Sequence, residues 1–191
     1  MGRWLPFRAT QFVTPLSPGF VWLAQVRVAP FVRIRIRDAY DHGRGSGEIK
    51  LLSMIPVAAA HGQPELNAGA LHRYLAEAVW YPTALRPQGG LSWTAIDDRR
   101  AMATLTDAGV TVSLEFRFGT NDEVTGVYTS GRYRQVGRRF ELTPWEGHFS
   151  TYEDRSGVWI PTEGEVGWYF GGEWQPVWTG QVTAAGYEYE Q

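Results

Sequence analysis

The stretch PWEGHFSTYEDRSGVWIPTEGEVGWYFGGEWQPVWTGQVTAAGYEYE, residues 144–190, decides the fold of this chain. Runs of alternating side chains are broken there by Gly, Asp, Pro or Ser about every eight to twelve residues. That rhythm predicts antiparallel sheet, with aromatic rings on one face and charged or small side chains on the other. A sheet so rich in Trp and Tyr either fills its own barrel or lines a pocket for an apolar molecule.

Working outward, the same alternation predicts strands near 7–13, 19–29, 31–40, 46–55, 91–97, 100–106, 110–118, 123–129, 131–136, 139–149, 157–161, 164–170 and 174–189. Turn signals fall at 17–19 (SPG), 43–47 (GRGSG), 107–109 (DAG), 121–123 (NDE) and 155–157 (RSG). The DAG turn sits between two alternating arms and gives the cleanest hairpin. One helix interrupts the strands, over about 68–81. Asn67 is placed to cap it and Pro82 to end it. Leu71, Leu75, Ala78 and Val79 form its apolar stripe, and Arg73, Glu77 and Trp80 an adjacent one. A lone helix on a large sheet must cover one open face or one end of a barrel. The expected architecture is mainly β: a curved antiparallel sheet or incomplete β-barrel with one capping helix, in a single domain spanning 1–191.

Composition bounds the function. The 191 residues carry 43% hydrophobic and 20% charged side chains, which excludes disorder, and nine each of Trp, Phe and Tyr supply an ample core. There is no cysteine, hence no disulfide framework, no thiol nucleophile and no Cys-ligated zinc. A net charge of −2 argues against a general nucleic-acid binder. Yet residues 1–50 hold eight Arg and Lys against three Asp and Glu, whereas 141–191 hold one against nine. Arg33, Arg35 and Arg37 alternate with Val32, Ile34 and Ile36, which predicts a basic outer face paired across strands with acids such as Glu48; the other reading is an anion or lipid-headgroup patch. No apolar run of about 18 residues exists to span a membrane. The start MGRWLPFRATQFVTP lacks the features of a signal peptide, so a cytoplasmic location is expected, or membrane association or export if a leader has been removed.

Several side chains could carry chemistry. Glu77, beside Arg73 and Trp80, could act as a general acid or base, although an i, i+4 ion pair with Arg73 is the simpler reading. Asp97 and Asp98, before Arg99 and Arg100, read as a charged turn more readily than as paired catalytic carboxylates. Alternation puts Glu146 and His148 on one face, where the acid could orient the imidazole; no nucleophile elbow accompanies them. His42, His61, His72 and His148 show no metal spacing, and no cofactor motif is present. Trp22, Trp80, Tyr81, Trp93, Trp145, Tyr152, Trp159 and Trp168 are core candidates. Because one helix cannot cover two sheet faces, some of them should line a cavity or groove.

The runs FRATQF (7–12), PGFVWLAQVR (18–27), RYLAEAVWYPTAL (73–85), LTDAG (105–109) and PWEGHF (144–149) resemble a widespread bacterial family of unknown function. That likeness spans nearly the whole chain and implies no activity. Members often carry an N-terminal membrane segment, and no such segment is expected within residues 1–191. The segment 152–161, its Gly turn and Pro step, and the helix ending in PTAL are also similar to the lipoprotein-carrier half-barrels of the bacterial periplasm. That second likeness implies a curved sheet around an apolar cavity with a helical lid. The expected function is therefore binding or carriage of an apolar small molecule or lipid. Trp22, Trp80, Trp93, Trp145, Tyr152 and Trp168 would be walls, with Arg73 and Glu77 beside them and Arg73 as the polar anchor. The alternatives are a small acid/base enzyme using Glu77, Asp97 or His148, and a structural β-domain with a filled core.

Overall fold

The computed structural model describes residues 4–51, 55–87, 89–137 and 139–188. Two antiparallel meanders flank one helix. The first runs β1 (Phe7–Thr14), β2 (Gly19–Ala29), β3 (Val32–Asp41), β4 (Arg44–Leu51) and β5 (Ile55–His61), each strand beside the next. Helix α1 (Pro64–Glu77) and two 3-10 turns, Ala78–Trp80 and Pro82–Leu85, lead to the second. That meander comprises β6 (Leu91–Asp97), β7 (Arg100–Asp107), β8 (Val110–Phe118), β9 (Val124–Val136), β10 (Arg139–Arg155), β11 (Val158–Phe170) and β12 (Glu173–Gln181), again in chain order. The fold is mainly β with one helix, as the sequence pattern predicts, and among the described residues the two sheets do not close into a barrel.

The helix packs against both sheets, touching β3 and β4 on one side and β8 and β9 on the other. The expected stripe is buried, Leu71 and Leu75 on the helix and Ala78 and Val79 on the 3-10 turn that follows, because the α-helix ends at Glu77 and not at 81; Pro82 opens the second 3-10 turn. These join Phe20 and Tyr40 from the first sheet and Leu105, Leu114, Phe116, Val127 and Trp145 from the second in one core. Burying each large aliphatic contributes roughly 1.5–3 kcal/mol. Polar ties fix the hairpin tips: the Tyr40 hydroxyl and the Gly43 N–H both donate to Asp107 Oδ2, at 2.8 and 3.0 Å, joining β3–β4 to β7–β8.

Several boundaries differ from expectation for identifiable reasons. The helix begins at Pro64, not 68, with proline in its first turn, where no amide hydrogen is needed. Asn67 is therefore inside the helix and not its cap; its Oδ1 accepts the Gly45 N–H of β4 at 2.8 Å. The Gly-rich run 43–47 is not one loop. The turn is only His42–Gly43, both at positive φ, and Gly45 and Gly47 lie within β4. A Cβ on Gly45 would stand 2.7 Å from the Leu66 carbonyl oxygen and 3.0 Å from Ala70 Cβ, so glycine here is what lets the helix press on the strand. β5 was not expected, and the expected strand 46–55 crosses residues 52–54, which lie outside the described set.

β9 and β11 are each one long strand where two were expected. The break expected near 130 is a register shift opposite Thr143–Trp145, which bends β9 without ending it. The break expected after Pro161 is absent because β12 has its last register pair at Glu163, so the proline faces no complete two-sided ladder. β10 likewise continues to Arg155, and the closing strand stops at Gln181, short of the expected 189.

His72 lies on the buried side of α1 with no partner for its Nδ1. Burial, with the charge of Arg132, lowers its pKa to about 4. In the unfolded chain it titrates near the ordinary 6.5, so the unfolded state binds more protons between those values. Stability should fall as the pH drops from about 6.5 to about 4, by on the order of 3 kcal/mol from this group. His72→Leu should flatten that part of the pH profile in urea unfolding. Gly45→Val should lower the unfolding free energy by about 1–3 kcal/mol through overpacking.

Candidate functional site

Asp38 points toward the helix, and strand alternation then fixes the inner face of the first sheet. Gln11, Trp22, Asp38 and Gly47 lie in one cross-strand row; Ala9, Ala24, Ile36 and Ile49 form the next; Phe7, Val26 and Ile34 the one beyond. The first row sits under the helix. Arg73 reaches it with Nη1 on Asp38 Oδ2 at 2.8 Å, while its Nε donates to Glu77 Oε1 at 2.7 Å on its own helix. Nη2 donates to Gln11 Oε1 at 3.4 Å, and the Gln11 amide donates to Glu77 Oε2 at 2.8 Å. The guanidinium also lies over the Phe20 and Trp22 rings, 5.1 and 4.7 Å from their centroids. Burial raises the Asp38 pKa above the usual carboxylate range, with Arg73 opposing and Glu77 adding to the rise.

A second guanidinium meets this group from the other sheet. The shift in β9 turns Arg132 inward beside Thr143, and its Nη2 donates to the Gly69 carbonyl, one helical turn before Arg73, at 3.1 Å. Arg132 lies over Trp145 at 4.6 Å and Trp168 at 5.6 Å. Its Nε has no hydrogen-bond partner, and the two carboxylates that act on it through their charge, Asp38 and Glu77, are held by Arg73. Burial, followed by the like charge of Arg73, lowers its pKa to about 10. The arrangement is a cation on an aromatic bed with unused donors, suited to a carboxylate or phosphate.

The structure thus brings Trp22, Trp145 and Trp168 together around Arg73, Glu77 and Arg132. It places the other expected wall residues elsewhere. Trp80 stands edge-on to Phe149 and donates to the Pro161 carbonyl at 2.9 Å. Trp93 packs on Phe116 and Phe118 and donates to the Leu85 carbonyl at 3.0 Å. Tyr152 stacks on Trp159 and donates to the Val124 carbonyl at 2.8 Å.

The three candidate proton-transfer groups do not share a site. Glu77 is in the Arg73 group. Asp97 is in an exposed turn, accepting from the Arg99 N–H at 2.9 Å and Arg100 Nε at 2.7 Å, which hold its pKa below the usual value. His148 is on the outer face of the second sheet, paired with Glu146 as alternation implies: Nε2 is 2.7 Å from Glu146 Oε1 and Nδ1 is 3.2 Å from Glu165 Oε1. Arg117 and the Tyr169 hydroxyl donate to Glu146 as well, at 2.8 and 2.7 Å. Burial alone would raise the Glu146 pKa, but these donors and the Arg117 charge outweigh it and lower it. Arg132 was not among the expected site residues. The sequence signal for it is weak, because RYR at 132–134 reads as ordinary alternation unless the bulge is known.

Over residues 1–187 the chain matches a family of unknown function (DUF6920). It belongs to that family. No curated protein and no solved structure matches it.

Removing the Arg73 guanidinium would leave two partly buried carboxylates facing each other. Arg73→Met should lower the unfolding free energy by about 2–3 kcal/mol, between the cost of a surface pair and that of a buried one. Asp38→Asn in the same chain should return part of that loss in a double-mutant cycle followed by urea unfolding.

Proposed function

We propose that this protein binds an amphipathic small molecule or lipid along the inner face of its first sheet, with the ligand's anionic end on Arg132. What carries the reading is the apolar surface left uncovered beyond the helix. Phe7, Val26, Ile34, Ile36 and Ile49 share the inner face with Trp22, and all are only half-buried. Trp168, Phe170 and Trp178 are half-buried on the facing strands, and Phe7 meets Trp178 at 5.9 Å between centroids. In this reading they are the walls of an open trough, with the Arg73–Arg132 group at its polar end. A chain laid on these side chains gains about 25 cal/mol for each Å² of apolar surface covered, and the unused donors of Arg132 favour an acid group at its end.

Within this reading Arg73 orients the site and Arg132 anchors the ligand, because the charge of Arg73 is already paired with Asp38 and Glu77 and a third donor goes to Gln11. The likeness to lipoprotein carriers suggests the same class of cargo. Acid/base chemistry in the trough would have to use Glu77, whose oxygens already accept from Arg73 and Gln11.

Native mass spectrometry of freshly purified protein, beside an organic extract of the same sample, tests the proposal. A co-purifying amphipathic molecule, or saturable uptake of dodecanoate as probe, is expected. Arg132→Gln should weaken dodecanoate binding roughly tenfold to a hundredfold, the loss of a charge-assisted hydrogen bond. Glu77→Gln should leave a carrier's affinity nearly intact, whereas an enzyme using Glu77 would lose roughly 10²–10⁴ in rate. A clean mass with no dodecanoate uptake would overturn the reading in favour of a structural domain.

A further inference from the structure

The outer face of the first sheet is the opposite of its inner one. Arg8, Arg27, Arg33, Arg35, Arg37, Arg44 and Lys50 all stand on it, against two acids in the cross-strand rows of β1–β4: Glu48, and Asp41 at the far end beside Arg44. Glu48 faces Arg37 in register, as the alternation predicts, and pairs with Lys50 at 3.3 Å. Two further pairings set like charges directly opposite: Arg27 faces Arg33, and Arg35 faces Lys50. Directly opposed like charges oppose strand pairing; among the described residues only Lys50 of these four has an acid partner, Glu48. Exposed apolar side chains accompany the cations: Phe12 at 65% and Leu23 at 44% relative exposure.

The β2–β3 hairpin tip adds a third oddity. Ala29 pairs with Val32, leaving Pro30 and Phe31 as a two-residue turn, and Phe31 has φ of 66°. That second position after proline favours Gly or Asn, since a bulky side chain is strained at positive φ. Phe31 is also 100% exposed. It therefore bears backbone strain without any burial in return, flanked by the Arg27–Arg33 pair.

We propose that this face docks on an anionic phospholipid bilayer, with Phe31 inserted at the headgroup boundary and the arginines on the lipid phosphates. Acidic lipid cancels the like-charge repulsion, and the interface buries the ring that water leaves exposed. The surface is a peripheral one: among the described residues no helix is long and apolar enough to cross a membrane. This inference does not depend on the trough holding a ligand.

Vesicle flotation with the full chain tests it, using phosphatidylcholine alone and phosphatidylcholine with about 30 mol% phosphatidylglycerol. Binding to the anionic vesicles should exceed that to the neutral ones by at least about tenfold and fall steeply with salt. Phe31→Gly relieves the φ strain, so its unfolding midpoint should stay level or rise while its partition onto anionic vesicles drops several-fold. Arg33→Glu with Arg35→Glu should abolish the preference for anionic lipid. Equal partition onto both vesicle types, or a Phe31→Gly protein that binds like the parent, would overturn the proposal. So would retention on nucleic acid with no vesicle binding.

Discussion

A guanidinium held by carboxylates from two different elements cannot move without stranding both of them. Arg73 is in that position, tied to Asp38 on β3, to Glu77 on its own helix and through Gln11 to β1. A helix packed only through Leu71 and Leu75 could slide or rotate along an apolar surface, because burial has no direction. Charge-assisted hydrogen bonds do have direction. They set the height of α1 over the first sheet, and the Asn67–Gly45 bond sets its start. Beyond the helix the inner face of the first sheet is left only half-buried, and Arg132 meets the same helix at the Gly69 carbonyl.

The antiparallel class, most strands and the buried stripe of the helix were legible in the sequence because each depends on local periodicity. The Arg33–Arg35–Arg37 alternation and its Glu48 partner were legible for the same reason. What was hidden depends on contacts between distant elements. Gly45 and Gly47 look like a loop until the helix is laid across β4. Pro161 looks like a strand end until β12 is seen to stop short of it. Arg132 looks like an outward residue until the shift in β9 re-aims it, since one extra residue reverses the face of everything beyond it. The site followed the same division. Of the expected set, Trp22, Arg73, Glu77, Trp80, Trp93, Trp145, Tyr152 and Trp168, the fold brings Trp22, Arg73, Glu77, Trp145 and Trp168 near one another. Trp80, Trp93 and Tyr152 went to other partners because an indole or phenol near an unpaired carbonyl is drawn to it.

The charge asymmetry along the chain becomes an asymmetry across the molecule. The basic excess of residues 1–50 lies on the outer face of the first sheet. On the outer face of the second sheet Glu115, Glu146, Glu163 and Glu165 share the surface with Arg117 and His148. The acids there are tied down: Glu146 accepts from Arg117, His148 and Tyr169, and Glu163 from Ser150 and Thr151. Among the described residues the cations of the first sheet are less engaged: Glu48 is the ion-pair partner of Lys50 and the cross-strand neighbour of Arg37, and Asp41 lies opposite Arg44. Charges paired with an opposite charge largely cancel at a distance, whereas charges without such a pair, including Glu163 with its neutral donors, contribute to the field that steers encounters. A net charge of −2 therefore describes the molecule poorly, because one face carries an excess of cations. Two faces of one sheet, the inner apolar and capped by arginine, the outer basic and tipped by Phe31, are separated by a single layer of backbone, so whatever meets the outer face lies about one sheet's thickness from the half-buried inner one.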